Sequence, residues 1–278
     1  MAVMKDKMHR VYPKKRFGQN FLKDKNIARK IVKAIDAPHP QLIVEIGPGT
    51  GVLTEFVLNE AENYVGIEID RSLFELLQNR FSGLNNFSLV SQDFLEFDLA
   101  EVFGEFPDHS KVILGNIPYN ITSPILFKLF DQADSLNQAV LMVQKEVGNR
   151  IRAMPGGKDY GLLSIFSQIF ADVNSLFSVP AKLFFPQPKV DSAVIKFQFR
   201  RGAKDEFADF ELFRKMVRTC FQHRRKMLRN SLSQLFSVDV LTKLGTSLSQ
   251  RPEQLSINQW KEIFQQIHQT IEKKDTQK

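Results

Sequence analysis

The sequence predicts an α/β protein with a mostly parallel sheet carrying one antiparallel strand, followed by a small all-helical domain. Three observations carry that prediction. Between residues 41 and 145, short β-rich runs alternate with helical stretches, the pattern of parallel strands joined by crossover helices. A glycine-rich turn, Gly47-Pro48-Gly49-Thr50-Gly51, follows the first run and opens a helical stretch. From Asp205 onward the periodicity is helical throughout.

Strands are expected at Leu42 to Ile46, Tyr64 to Ile67, Phe87 to Val90, Val112 to Leu114 and Ala139 to Val143. The first four end at Gly47, Glu68, Asp93 and Asn116, spaced 21, 25 and 23 residues apart, about one strand-helix unit each. All four should therefore line up along the carboxyl edge of one sheet, where open α/β sheets bind their ligands. Leu176 to Val179 and Val194 to Phe199, separated by Pro180, Pro186 and Pro188, read as a β-hairpin with a rigid connector that supplies the antiparallel strand. Arg200-Arg201-Gly202 marks the boundary, giving a catalytic domain over residues 1–201 with a basic N-terminal arm and a helical domain over 202–278. The lysine-rich last six residues are expected to fray.

With 278 residues, 43% of them hydrophobic and 25% charged, the chain can bury a full α/β core and a smaller domain. A single cysteine, Cys220, excludes an internal disulfide and a cysteine-based zinc site, and the five histidines lack ligand spacing, so no metal is expected. No apolar run approaches the length of a membrane span, and the N-terminus lacks the apolar stretch of a signal peptide, so a cytoplasmic protein without membrane partners is expected.

The net charge of +7 conceals a segregation: residues 1 to 30 carry ten Lys/Arg against two Asp, and residues 214 to 231 carry seven Lys/Arg and no acid. An acidic body with two basic patches suits a protein that meets a polyanion at defined faces; the alternative is a pair of solvated helix faces. Arg214, Lys215, Arg218, Arg224, Arg225, Lys226 and Arg229 combine spacings that put several on one helix face, and Arg218, Arg224, Arg225, Lys226 and Arg229 are the expected nucleic-acid contacts.

Asn116-Ile117-Pro118-Tyr119 follows an apolar run and suits the exocyclic amine of adenine. That amine is a poor nucleophile because its lone pair is delocalised into the ring. A side-chain amide oxygen and a backbone carbonyl can accept its two N–H groups and draw it out of conjugation, Pro118 fixes the turn, and Tyr119 stacks on a flipped or single-stranded base. The alternative for Tyr119 is a core tyrosine behind a turn. Phe184 and Phe185 offer a second aromatic wall, or simple packing.

Gly47 and Gly49 let a ligand touch the backbone, but Gly-x-Gly-x-Gly differs from the dinucleotide Gly-x-Gly-x-x-Gly. Glu68 is placed to accept both ribose hydroxyls, or is a strand-end acid. Asp93 can accept from a cofactor's adenine amino group, with Phe94 or Ile69 flanking the ring, or caps a helix. A nucleoside cofactor without a phosphate anchor, facing an amine site, points to S-adenosylmethionine and a Rossmann-like class I methyltransferase domain.

In these motifs the chain resembles the bacterial small-subunit ribosomal RNA adenine dimethyltransferases along essentially its whole length. The matching pieces are Phe17 to Leu22, Glu45 to Gly49, Glu68, Gln92-Asp93, Asn116 to Asn120, Gln144 to Val147, Pro188 to Val194, Arg224 to Lys226 and Arg229 to Leu232. The resemblance implies transfer of two methyl groups to N6 of each of two adjacent adenosines in the 3′-terminal hairpin of small-subunit (16S) rRNA. The substrate would be an assembly intermediate and the enzyme a monomer with no obligate protein partner. It places cofactor-binding roles on Asn20, Leu22, Gly47, Glu68, Asp93 and Asn116. Nothing local compels those of Asn20 and Leu22, which read equally as a helix-entry motif.

Three rival readings remain: a large-subunit rRNA adenine dimethyltransferase, a non-catalytic RNA-binding assembly factor, and, more distantly, a nicotinamide-dependent dehydrogenase. The Arg224 to Leu232 stretch and Phe17-Gly18 resemble the small-subunit group.

Overall fold

The computed structural model of the chain describes residues 13–14, 17–244 and 248–275. Most of the basic N-terminal stretch and the residues after Asp275 lie outside this range.

The chain begins with β1 (Phe21–Leu22) and α1 (Lys25–Val32), then alternates β2 (Gln41–Ile46), α2 (Thr54–Val57), β3 (Asn63–Ile67), α3 (Arg71–Phe81), β4 (Phe87–Val90), α4 (Leu99–Glu105), β5 (Ser110–Asn116), α5 (Thr122–Asp131) and β6 (Gln138–Gln144). It continues through α6 (Lys145–Ile151), α7 (Leu162–Phe170), β7 (Ala171–Val179), β8 (Phe184–Phe185) and β9 (Ser192–Phe199). The last elements are the helices α8 (Phe210–Gln222), α9 (Leu228–Leu232), α10 (Val238–Thr242) and α11 (Ile257–Asp275).

A mostly parallel sheet of seven strands, ordered β4-β3-β2-β5-β6-β9-β7, forms the centre. The five strands β4 to β6 in that order pair in parallel. All six residues of β2 are buried, as a central strand covered on both faces requires. Capping starts the helices where the sequence supplies a short acid: Asp24 accepts from the Asn26 and Ile27 amides, and Asp70 from that of Ser72. The amphipathic α1 buries Ala28, Ile31 and Val32 in the core beneath the sheet's edge.

β7 and β9 are neighbours, as expected for the two arms of a hairpin, but their connector is more than a rigid link. It contains β8, which forms a separate antiparallel pair with β1, Phe21 opposite Phe185 and Leu22 opposite Phe184. The N-terminal arm is thereby fastened by backbone hydrogen bonds to a segment 160 residues later.

The compact units also differ from a single boundary after residue 201. One comprises the described residues up to Lys145 together with Ser175–Lys196; the other comprises Glu146–Asn174 and the chain from Phe197 onward. Aromatic packing explains why the segment around α7 belongs with the C-terminal helices. Phe166 lies edge-on to Phe210 and Phe213, Phe170 to Phe210, and Phe213 also meets Phe207 at 4.2 Å and Phe264 at 5.5 Å between ring centroids. The final helix runs through Asp275, so the expected fraying does not begin at Lys273.

Phe213 is fully buried at the centre of this cluster. Phe213→Ala is expected to destabilise this unit by about 3–5 kcal/mol, measured by denaturant unfolding with hydrogen exchange resolving which helices open first.

Candidate active site

The ends of β2, β3, β4 and β5 surround a cavity of about 330 Å³, within the range of small-molecule sites. Asn20, Leu22, Gly47, Gly49, Glu68, Asp93, Asn116, Pro118 and Tyr119 all line it, so residues spread over a hundred positions converge on one space. The expected Arg and Lys contacts lie in the other unit.

Gly47 and Gly49 adopt φ of +59° and +61°, a left-handed conformation that favours glycine. A β carbon on Gly47 would meet nothing within 4 Å, so the turn leaves open space where a ligand can approach the backbone. The Gly49 amide donates to one carboxylate oxygen of Glu68 at 3.0 Å and the Asp70 amide to the other at 2.9 Å. Burial raises the Glu68 carboxyl above its ordinary pKa, these two amides oppose the shift, and the neighbouring Asp70 charge adds to it. An acid held this way at the end of the second strand fits a nucleoside's ribose hydroxyls. Asp93 does not cap a helix, because the next helix begins at Leu99 with Asp98 as its cap; it opens a turn instead. One carboxylate oxygen accepts from the Leu95 amide at 2.8 Å, the carbonyl starts the turn through Glu96 and Phe97, and the residue still faces the cavity.

The side-chain amide of Asn116 donates to the Asn20 carbonyl at 2.8 Å. With one N–H engaged by the arm, the amide's orientation is fixed, and its oxygen remains an acceptor on a residue that lines the cavity. Pro118 sits at φ −59° before a 3-10 turn over Tyr119–Ile121, and its carbonyl receives the Ile121 amide and the Thr122 hydroxyl. The Tyr119 hydroxyl lies 2.7 Å from Ser192 Oγ, and burial raises its pKa despite that bond. Its half-buried ring is held at the far end while lining the cavity. Phe184 is a core residue and Phe185 is 55% exposed; neither lines the cavity, so the expected second aromatic wall is not formed by them. Phe94 is buried and Ile69 exposed, and both border the Asp93 end.

Two functional features escaped sequence reasoning. Glu45, fully buried at the cavity floor, accepts from the Thr54 hydroxyl at 2.7 Å and the Tyr64 hydroxyl at 2.8 Å. Desolvation, only partly opposed by those bonds and reinforced by Glu68, pushes its carboxyl up to about 7. The readable signal was a lone acid in an otherwise apolar strand. The second feature is an arm latch. Lys14 Nζ pairs with one Asp70 oxygen at 2.6 Å and Gln19 donates to the other at 3.1 Å. Burial raises the Asp70 carboxyl, but Lys14, Gln19 and the Ser72 amide more than offset it, leaving its pKa lowered. No local pattern marks this latch, because its partners are over fifty residues apart.

The Arg/Lys stretch also differs from one helix face. α8 ends at Gln222, so Arg224, Arg225 and Lys226 occupy the turn before α9. Arg214 is largely buried over the Phe210 ring.

A parallel sheet with a glycine turn, a buried strand-end acid and the Asn116 to Tyr119 turn at its carboxyl edge defines a Rossmann-like methyltransferase domain. The model of the ribosomal RNA adenine dimethylase family matches residues 11–269, and the chain belongs to that family. The ribosomal RNA small subunit methyltransferase A of Mycoplasma mobile is 39% identical over 92% of this chain and 98% of its own length. That of Parabacteroides distasonis is 41% identical over 92% and 94%. Among solved structures, a dimethyladenosine transferase from Plasmodium falciparum superposes with a TM-score of 0.76 at 27% identity, covering 89% of this chain and 97% of that one. The 23S rRNA methyltransferase ErmE gives 0.64 at 25% identity, covering 89% and 99%.

Because the folded pKa of Glu45 lies above its unfolded value, its contribution to stability is complete below about pH 4.5 and is lost as pH rises through about 7. Glu45→Gln keeps an acceptor for Thr54 and Tyr64 without the ionisation. Denaturant unfolding at pH 5 and pH 8 is expected to show wild type losing about 2–3 kcal/mol more than the variant. Asp70→Ala releases Lys14 and Gln19 and is expected to weaken nucleoside-cofactor binding about tenfold by calorimetry, chiefly through faster dissociation.

Proposed function

We propose that the chain transfers methyl groups from S-adenosylmethionine to N6 of two adjacent adenosines in the 3′-terminal hairpin of small-subunit (16S) rRNA, two per base. The observation that carries this reading is the Asn116 amide, anchored through its nitrogen on the Asn20 carbonyl and left with its oxygen as acceptor. When bound, S-adenosylmethionine supplies an electrophilic methyl group on a sulfonium centre.

The protein's part is alignment and electrostatics. Asn116 Oδ1 and a backbone carbonyl of the turn accept the two N–H groups of the adenine amine, concentrating its lone pair and stabilising the charge that develops on nitrogen. Pro118 fixes the turn, and the Tyr119 ring, held by Ser192, stacks the flipped base for about 1–3 kcal/mol. Glu68 holds the ribose, Gly47 and Gly49 line the backbone approach, Asp93 accepts from the cofactor's adenine, and Asn20 and Leu22 cover it from the arm. Alignment of amine, methyl and sulfur supplies much of the rate. The methylated nitrogen then loses its proton to water, so no strong base is required.

The small-subunit substrate is supported by the names of relatives about 40% identical over nine-tenths of the chain. Arg218, Arg225, Lys226 and Arg229, with Arg224, belong to the RNA-binding part, and the adenine choice to the Asn116 turn. The expected context is a ribosomal assembly intermediate in the cytoplasm, met by a monomer that uses no metal. No helix among the described residues is long and apolar enough to cross a membrane.

Labelled methyl transfer to small subunits lacking their adenine methylations, with large subunits alongside, tests the reading by nucleoside analysis. Dimethyladenosine only in the small-subunit RNA is expected. Product in large-subunit RNA would reassign the substrate, and cofactor binding without transfer would point to an assembly factor. Asn116→Ala is expected to slow transfer at least about a hundredfold while changing S-adenosylmethionine affinity far less. Glu68→Ala is expected to do the reverse, and equal losses in both measurements for both variants would contradict this division of roles.

A further inference from the structure

Three separated segments of the C-terminal unit are tied together by hydrogen bonds. The Arg224 guanidinium donates to the Gly157 carbonyl at 3.0 Å and lies 3.7 Å from the Glu253 carboxylate. The Gly156 amide donates to the Glu253 carbonyl at 2.7 Å, and the Leu228 amide to the Gln250 carbonyl at 2.9 Å. The loop between α6 and α7, the turn between α8 and α9, and the turn around Pro252–Gln254 are thus one knot with Arg224 at its centre. Gly156 makes the loop's bend with φ of +86°, which favours glycine.

Charge around the knot is unevenly compensated. Some cations elsewhere in the unit are paired: Arg150 with Glu146, Arg200 with Asp172 and Lys261 with Glu206. Arg152 and Lys158 on the loop, Arg225 and Lys226 on the turn, and Arg229 at the start of α9 are exposed and have no ion pair with any described residue. Asp159 is the only acid between Arg152 and Gly161. Cations left unpaired together, on backbone rigidly held in common, match a row of phosphates.

We propose that the loop carrying Arg152 and Lys158 is a second RNA-contacting segment, and that Arg224 is a positioning residue that holds this loop beside the Arg225 to Arg229 stretch. The inference rests on the RNA substrate proposed above and deepens it. Arg224 spends its donors inside the protein, on Gly157 and toward Glu253. Arg152, Lys158, Arg225, Lys226 and Arg229 face outward and meet the phosphates. A lysine at position 224 keeps the charge but lacks the planar fork that reaches both partners.

The test is binding to small ribosomal subunits lacking adenine dimethylation across a salt series, for wild type, R152Q/K158Q, R224A, R224K and R224A/R152Q/K158Q. Hydrogen exchange of residues 153–158 is followed in the free proteins. Wild type is expected to bind with a steep salt dependence, and R152Q/K158Q to lower the slope of log affinity against log salt by about 0.7–0.9 for each lost contact. R224A and R224K are both expected to accelerate exchange in the loop, and the two loop substitutions to cost less in the R224A background than in wild type.

A wild-type slope for R152Q/K158Q overturns the loop contact. Unchanged loop exchange in R224A, or full rescue of binding by R224K, overturns the positioning role and makes Arg224 a phosphate contact. Competition by polyglutamate as effective as that of RNA overturns the RNA assignment in favour of an acidic protein. Absence of wild-type binding overturns the functional reading together with this inference, whereas wild-type binding with unaffected variants overturns the inference alone.

Discussion

The pairing of β5 against β2 closes at Gly115, opposite Ile46, where a β carbon would stand 2.9 Å from the Ile46 carbonyl oxygen. Only a residue without a side chain lets the two strand ends approach so closely, and that approach sets Asn116 beside Gly47. Because the neighbouring strands are parallel and in register, the same edge collects the ends of β3 and β4. A larger residue at 115 would separate the amine-accepting turn from the glycine turn, and the two halves of the site would no longer share one cavity. The site is therefore a consequence of strand spacing before it is a consequence of any functional side chain.

Within that edge the protein concentrates unfavourable chemistry and restrains it with backbone. Glu45 and Glu68 are both buried, and desolvation raises both carboxyls. What keeps Glu68 usable as an acceptor is a pair of amides from the glycine turn and from the start of α3, the type of partner that opposes the shift without adding a counter-charge. Asp70 extends the arrangement outward: its amide supports Glu68, while its carboxylate caps α3 and anchors the arm through Lys14 and Gln19. The arm's other fastening is the β1–β8 pair, and between them the Asn20 carbonyl meets Asn116. Glu68, the arm and Asn116 are linked through four short contacts.

Much of this was legible along the chain. The strand ends at Gly47, Glu68, Asp93 and Asn116 were placed by hydrophobic runs and their spacing, because a buried parallel strand is a short apolar stretch whose exit must be polar or glycine. The chemistry of Asn116 to Tyr119 followed from what each side chain can accept or stack. The arm was harder. Asn20 and Leu22 carry no local signature of a lid, and their place depends on β8, a two-residue strand hidden in a connector that read as rigid punctuation. Of the basic stretch only Arg214, Lys215 and Arg218 lie on α8, and periodicity says nothing of where α8 stops. Its last turn ends before Arg224, whose guanidinium is then used to tie distant loops.

The sequence by itself determined the fold class, the order of most strands and helices, and which functional groups stand at the strand ends, because these depend on local periodicity and on residue chemistry. Only the tertiary structure decided that Phe184 belongs to the core, that Glu45 is a buried acid with a raised pKa lining the cavity, that the segment around α7 packs with the C-terminal helices, and that Arg224 reaches the Gly157 carbonyl. Each of these depends on which groups are brought together from distant positions and how far they are removed from water, and desolvation and long-range pairing are properties of the folded packing.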